Sequence, residues 1–172
     1  VRKKYNLPMS FVLYLGGFDY RKQVNQLLYA YTYLAQAEGD NYPLVMAGKE
    51  PDWSKPVFPD MRKYADQLKI AEYIEWIGYV DEADKPALYR LADLFVYPSM
   101  YEGFGLPPLE AMASGVPVVA NALDIFKETL GDGAYLVENA RSMGGAMIAL
   151  LIQKPLRETM INQGLAQSTR YT

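Results

Sequence analysis

Residues 94–120 read LFVYPSMYEGFGLPPLEAMASGVPVVA and contain a strand, a helix and a second strand. Leu94 to Tyr97 and Val116 to Ala120 are apolar throughout, which indicates strands covered on both faces. The helix predicted between them, near Pro107 to Ser114, begins at two prolines, and proline suits a first helical turn because its missing N–H would have no partner there. This order predicts a parallel pair of strands joined by a helical crossover.

The same alternation extends over the rest of the chain, and Gly or Pro punctuates most of its segments. Further strands are predicted at 11–15, 42–47, 73–77 and 134–137, and further helices at 24–39, 60–69, 83–92 and, as two helices separated by Pro155, 140–166. We therefore predict an α/β fold, a Rossmann-like doubly wound parallel sheet of about six strands with helices on both faces. Ligands of such sheets bind beyond the carboxyl ends of the strands, here in the loops after Leu15, Ala47, Ile77, Tyr97 and Ala120.

The amino-acid composition excludes several classes of function. The 172 residues suffice for one compact domain, and a net charge of −3 argues against a protein that grips nucleic acid. The chain has no cysteine and no histidine, which excludes thiolate nucleophiles, disulfides and an imidazole base within it. Acid–base chemistry would therefore fall to carboxylates, lysine or tyrosine.

The segment from Tyr101 to Gly115 predicts an anion site. The backbone N–H groups of Gly105 and Leu106 lie where a helix begins, so with the helix dipole behind them they favour a phosphate. Glu102 precedes them in a glycine-bounded loop, which favours a functional role. Glu110 is expected in about the first turn, where a purely structural alternative exists, because an acidic residue there stabilises a helix by about 0.3–1 kcal/mol.

The segment Gly16–Lys22 joins the first strand to the first helix, which is the position of a phosphate loop, although it is not a G-x-G-x-x-G sequence. Arg21 and Lys22 at a helix start would oppose the helix dipole, and a bound polyanion would offset that cost. The alternative is a solvated basic pair.

These segments together resemble a known family. Seven residues separate Glu102 from Glu110, and Glu102–Gly115 resembles the EX7E signature of GT-B retaining glycosyltransferases, with family 4, also called group 1, as the closest group. Other blocks are similar to that family in the same order along the chain: Tyr14–Lys22, Val45–Gly48, Ile77–Val80, Leu88–Tyr89, Tyr97–Ser99, Gly115–Asn121 and Glu128.

The resemblance implies that residues 1–172 are a single C-terminal donor-binding domain, one half of a GT-B fold, and that the N-terminal acceptor domain is absent from this chain. The implied reaction moves a hexose, mannosyl or glucosyl, from a UDP- or GDP-type sugar to a glycan or lipid-linked acceptor. It proceeds with retention and without a cofactor, as part of polysaccharide biosynthesis. A metal-independent mechanism is expected because no Asp-x-Asp element stands at the end of a predicted strand. The acceptor would bind through the N-terminal domain, and the isolated domain would be inactive. The implied location is cytoplasmic or peripheral at the inner membrane through that missing domain.

The resemblance also implies residue roles. Lys22 and Arg21 would neutralise the donor diphosphate, Glu110 would accept hydrogen bonds from the ribose, and Glu102 would hold the transferred sugar with the backbone of the loop that follows it. The implied nucleotide-sugar contacts are Gly16, Gly17, Gly48, Lys49, Gly78, Tyr79, Ser99, Phe104, Gly105 and Leu106, with Gly78 and Tyr79 at the base.

The chain departs from the family where many members carry an arginine after the first loop glycine, because Gly17 stands there. Arg21 is the candidate for the missing charge. Two alternatives to a transferase remain at this point. One is a nicotinamide-dependent oxidoreductase, which lacks its glycine fingerprint here, and the other is a non-catalytic nucleotide-binding or regulatory module of the same fold.

Overall fold

The protein, described by a computed structural model over residues 1–171, folds around one sheet; Thr172, the last residue of the predicted domain, lies outside the described residues. The strands are β1 (Val12–Leu15), β2 (Leu44–Ala47), β3 (Ile74–Gly78), β4 (Leu94–Tyr97), β5 (Val118–Asn121) and β6 (Tyr135–Val137). They are all parallel, in the order β3-β2-β1-β4-β5-β6. The predicted doubly wound sheet is confirmed.

Seven α-helices connect and cover the strands in the described part of the chain. They are α1 (Val24–Glu38), α2 (Met61–Gln67), α3 (Lys85–Leu91), α4 (Leu106–Ala113), α5 (Asp124–Thr129), α6 (Ala140–Ile152) and α7 (Lys154–Ser168). One helical layer contains α1 beside α2 and α6, and the other contains α4 beside α3 and α7. Among residues 1–171 no helix is both long enough and apolar enough to cross a membrane.

The central strands lie at the middle of the core. Every residue of β1, β2, β4 and β5 is buried, and β1 pairs with β2 from Val12 to Leu15 and with β4 at Val12 and Leu13. This burial on both faces accounts for the apolar runs, since a strand covered by two helical layers has no face on which polar residues are required.

Several details differ from the sequence prediction. Strand β2 begins at Leu44, two residues later than predicted, and Pro155 lies in the first turn of α7 instead of separating the last two helices. Helix α5 was not predicted, because six residues are too few to show a helical period; it forms where Phe126 is fully buried against the ring of Tyr97, 6.2 Å away between centroids. Strand β5 begins two residues later than predicted, since the N–H of Val116 is taken by the carbonyl of Ala111 at the end of α4.

Three loops meet at the carboxyl edge of the sheet through glycine backbones. Gly16 N–H donates to Ala47 O (3.0 Å), and Gly48 N–H donates to the carbonyl of Gly78 (2.8 Å). Gly48 has φ +145°, and a Cβ at this position would lie 2.0 Å from Gly16 O. Only glycine allows this approach, so the loops after β1, β2 and β3 form one continuous surface.

Candidate functional site

Lys22 and Glu102 are in direct contact at the carboxyl edge of the sheet, although 79 residues separate them in the chain. Lys22 Nζ lies 2.5 Å from Glu102 Oε1, and both side chains are largely shielded, with exposed fractions of 19% and 14%. The hydroxyl of Tyr97 donates to the same oxygen at 2.8 Å, and Ser99 Oγ does so at 2.9 Å. Tyr97 also accepts from Lys22 Nζ at 3.1 Å, so the loops after β1 and β4 share one hydrogen-bonded cluster.

The electrostatics of this cluster keep Glu102 ionised. Burial alone would raise the pKa of Glu102, but hydrogen bonds from Lys22, Tyr97 and Ser99 outweigh it and lower the pKa below its usual value. The pKa of Tyr97 is strongly raised, first by burial and then by its hydrogen bond to Glu102, so its hydroxyl stays neutral and acts as a donor. The site therefore holds a fixed carboxylate beside a fixed cation.

A short turn that was not predicted places Lys22 just before α1, which begins at Val24 as predicted. Arg21 and Lys22 do not begin an α-helix; they lie in a 3₁₀ turn, Tyr20–Lys22, and α1 starts at Val24 after Gln23, which has φ +50°. The carbonyl of Arg21 accepts from the N–H of Met100 at 2.9 Å, which fastens this turn to the loop after β4.

The two predicted cations point to different partners. Arg21 Nε lies 3.0 Å from Asp19 Oδ1, and its side chain is 64% exposed, whereas Lys22 contacts Glu102. Asp19 also accepts from the N–H of Arg21, so the same carboxylate caps the turn and holds the guanidinium. Of the two residues, Lys22 is the one that belongs to the cluster.

Helix α4 opens beside this cluster at Gly105. Gly105 has φ +90° and packs against Phe126, whose Cε1 would lie 2.6 Å from an added Cβ, so the position requires glycine. Pro107 and Pro108 follow Leu106 in the first turn and carry no N–H. The backbone donors that this terminus offers are therefore those of Gly105 and Leu106.

Glu110 lies outside the first turn of α4, as its fifth residue, which corrects the sequence expectation. The dipole effect falls off beyond the first turn, so the purely structural explanation for an acidic residue here is weakened. The hydroxyl of Tyr89 donates to Glu110 Oε2 at 3.0 Å. Both residues line a cavity of about 370 Å³ between α3 and α4.

The remaining predicted residues are distributed along the same edge. Gly16, Gly48 and Gly78 lie together as described, the carbonyl of Gly17 accepts from the hydroxyl of Tyr14, and Ser99 belongs to the Glu102 cluster. The side chains of Lys49, Tyr79, Phe104 and Leu106 are exposed, and the Phe104 ring packs edge-on against Tyr171, 5.4 Å away between centroids. None of these four contacts Glu102 through a hydrogen bond in the described residues.

The sequence analysis missed Tyr89, Tyr97 and Asp19 as site residues. Tyr89 was placed only in a block of resemblance, and Tyr97 was predicted only as the end of a strand, with no role for either side chain. A signal did exist for Tyr97, since a tyrosine that ends an otherwise apolar strand brings a hydroxyl to the ligand edge of the sheet.

With this geometry in view, comparison with known proteins identifies the class. The sequence matches the family of glycosyl transferases group 1 over residues 2–167. The chain belongs to this family of sugar-transferring enzymes, and its sheet is the Rossmann-like half found in GT-B members. Membership of a glycosyl transferase family argues against the alternative that the chain is a nicotinamide-dependent oxidoreductase.

Three relatives show the extent of the similarity. The O-antigen chain mannosyltransferase B of Escherichia coli is 34% identical over 175 residues, which cover all of this chain and 45% of that protein. The phosphatidyl-myo-inositol mannosyltransferase of Mycobacterium leprae is 35% identical over 166 residues, which cover 93% of this chain and 42% of that protein. The solved sucrose-phosphate synthase of Thermosynechococcus elongatus superposes with a TM-score of 0.82 at 27% identity, covering 98% of this chain and 43% of that one. The chain thus spans less than half the length of these relatives.

Proposed function

We propose that this chain is the donor-binding domain of a retaining, metal-independent glycosyltransferase that moves a hexose from a UDP- or GDP-type sugar. The observation that carries the proposal is the Lys22–Glu102 contact of 2.5 Å, which lies at the carboxyl edge of the sheet beside the N-terminus of α4. Two curated relatives are named as mannosyltransferases, which favours mannose as the transferred sugar, and one of them acts on an O-antigen chain, which favours polysaccharide synthesis.

The leaving group explains why a cation and backbone donors are needed. A nucleoside diphosphate leaves with about two negative charges at its phosphates, so donors aimed there stabilise the transition state more than the ground state. Lys22 and the N–H groups of Gly105 and Leu106 fill this role, and a hydrogen bond to a charged group contributes about 1.5–3 kcal/mol. Arg21 would have to leave Asp19 to add a second cation.

The carboxylates recognise hydroxyl groups in this proposal. Glu102 accepts from the transferred sugar and Glu110 from the ribose, because an ionised carboxylate is an acceptor only. The loops at Gly48–Lys49 and Gly78–Tyr79 line the nucleotide cleft, and the base lies against the second of them.

The other wall of the cleft would come from an N-terminal acceptor domain. Several large side chains at this edge are exposed, among them Tyr79 (62%), Tyr101 (67%) and Leu106 (59%). Exposed apolar side chains grouped on one edge are typical of surfaces that meet a partner. A glycan or lipid-linked acceptor would bind through that domain, which would also make any contact with a membrane.

Calorimetric titration tests the proposal. We expect UDP or GDP to bind the wild-type chain, NAD not to bind, and EDTA to leave the affinity unchanged. Lys22→Ala should weaken binding of the diphosphate about tenfold or more, while the matching nucleoside binds as before, since the lost charge faces the phosphates.

Lys63→Ala is the matched control, because Lys63 is an exposed lysine of α2 whose backbone N–H, not its amine, is held by Asp60. It should bind like the wild type. Binding of neither diphosphate would overturn the donor-binding proposal and leave the regulatory alternative, and an affinity abolished by EDTA would overturn metal independence.

A further inference from the structure

We propose that Tyr89 and Tyr97 are positioning residues, each of which determines which oxygen of one glutamate is presented to the ligand. Tyr97 acts on Glu102 and Tyr89 acts on Glu110. The inference rests on the proposed function, because it assigns the oxygens left over to hydroxyl groups of the donor.

The bonds to Glu102 are strongly asymmetric. In residues 1–171, the hydrogen bonds that reach this carboxylate, from Lys22, Tyr97 and Ser99, all end on Oε1. A carboxylate oxygen has about two lone-pair sites, so three donors saturate it. Oε2 is therefore the oxygen on which a hydroxyl of a bound sugar would be accepted.

Glu110 is also held through one of its two carboxylate oxygens, but by a single donor. The hydroxyl of Tyr89 donates to Oε2 at 3.0 Å, which leaves Oε1 for the ligand. The pKa of Tyr89 is strongly raised, first by burial and then by the charge of Glu110, so this hydroxyl too remains a donor at neutral pH.

The two hydroxyls are fixed because their rings belong to the core. Tyr89 and Tyr97 are each only 1% exposed, and both pack on Phe95, with ring centroids 5.3 Å and 5.9 Å away. A donor on a ring that is buried and packed against another aromatic ring cannot follow a moving carboxylate, so the carboxylate is oriented before the ligand arrives. Such preorganisation lowers the entropy that is lost on binding.

A double-mutant cycle on Tyr89 and Glu110 tests the coupling. We expect Tyr89→Phe to weaken binding of UDP or GDP, whichever the wild type binds, about threefold to tenfold, the range of one hydrogen bond. Glu110→Ala should weaken it further, and adding Tyr89→Phe to Glu110→Ala should cause no additional loss, because the hydroxyl then has no carboxylate to orient.

Tyr31→Phe is the matched control for the loss of a buried hydroxyl. Tyr31 is fully buried in α1, and its hydroxyl donates to the carbonyl of Tyr42 at 2.8 Å. Its replacement should lower the melting temperature as Tyr89→Phe does, but leave the nucleotide affinity unchanged.

The positioning role of Tyr97 is tested by a different measurement, the affinity for a nucleotide sugar relative to its nucleoside diphosphate. Because Glu102 is assigned to the sugar, Tyr97→Phe should reduce the extra affinity that a nucleotide sugar has over its nucleoside diphosphate. It should do so only when Glu102 is present, and Glu102→Ala, which removes the acceptor, supplies the second edge of that cycle.

The outcomes separate the two proposals. If the wild type binds neither diphosphate, or if Glu110→Ala leaves the affinity unchanged, the proposed function of the site fails and the inference fails with it. If Glu110→Ala weakens binding but Tyr89→Phe does not, or if the two losses simply add, the positioning role of Tyr89 is overturned and the proposed function stands.

Discussion

Glu102 keeps its charge in a shielded site because three donors converge on one of its oxygens. Lys22 reaches Glu102 from the loop after β1, 80 positions away in the chain, whereas Tyr97 and Ser99 precede it by only five and three positions. The same contact therefore orients a candidate binding group and joins two loops of the fold. At the scale of single residues, the ionisation of Glu102 therefore affects stability directly.

This coupling predicts a pH dependence of stability. A carboxyl whose pKa is lowered by folding stabilises the native state fully above its ordinary pKa of 4.5, and this stabilisation is lost as the pH falls through the lowered value. We expect Glu102→Gln to be less stable than the wild type at about pH 7, and the difference to shrink as the pH falls below about 4. Urea unfolding of both proteins across this range measures the difference, and a difference independent of pH would contradict the account.

At the scale of elements, the carboxyl edge is assembled by close backbone contacts between strand ends. Gly48 brings the loop after β2 against the carbonyl of Gly16, and Gly105 lets α4 begin against Phe126. Both glycines have a positive φ, which side chains disfavour, and both lack the space for a Cβ. Each position therefore requires glycine for two reasons. The turns that carry the candidate binding groups are thereby held in place by close contacts that only glycine allows.

Gly48→Ala should destabilise the fold by about 1–3 kcal/mol, because the new Cβ would lie 2.0 Å from Gly16 O and a φ of +145° is unfavourable for alanine. The measured quantity is the free energy of unfolding in urea. Gly103→Ala is the matched control, since a Cβ there meets nothing within 4 Å. It should change stability by less than about 0.5 kcal/mol, and equal stability of the two variants would refute the steric argument.

At the scale of the whole molecule, the proposed function makes this chain one wall of a cleft. The match covers all of this chain yet only 45% of the length of the Escherichia coli relative, and the Lys22–Glu102 cluster lies at the carboxyl edge of the sheet. Sugar transfer needs a second substrate held against the first, with bulk water excluded. One wall can bind a donor without completing that arrangement.

We therefore expect the 172-residue chain alone to bind nucleotide but to transfer no sugar. Incubation with labelled UDP- and GDP-sugars and a range of glycan acceptors, followed by separation of the products, measures this. Transfer above the rate in buffer that disappears in Glu102→Ala would show that the site is complete within the chain.

Sequence alone determined the architecture of this protein, because its strands are short and apolar on both faces. Leu94 to Tyr97 carries no alternation, which is the mark of a strand between two helical layers, and parallel topology then places every strand end at one edge. Lys22 and Glu102 follow two of those strands closely, so the sequence pattern also assigns both to that edge. Helix α5 could not be predicted, because its single fully buried aromatic, Phe126, leaves no periodic signal.

Tertiary structure decided which groups meet there. It placed Lys22 rather than Arg21 on Glu102, through a 3₁₀ turn followed by a left-handed residue at Gln23, and it brought Tyr89 and Tyr97 to their carboxylates. Local sequence patterns encode the period and the ends of elements. A hydrogen bond between residues far apart in the chain depends instead on how all the elements pack, so it is determined only when the whole chain is folded.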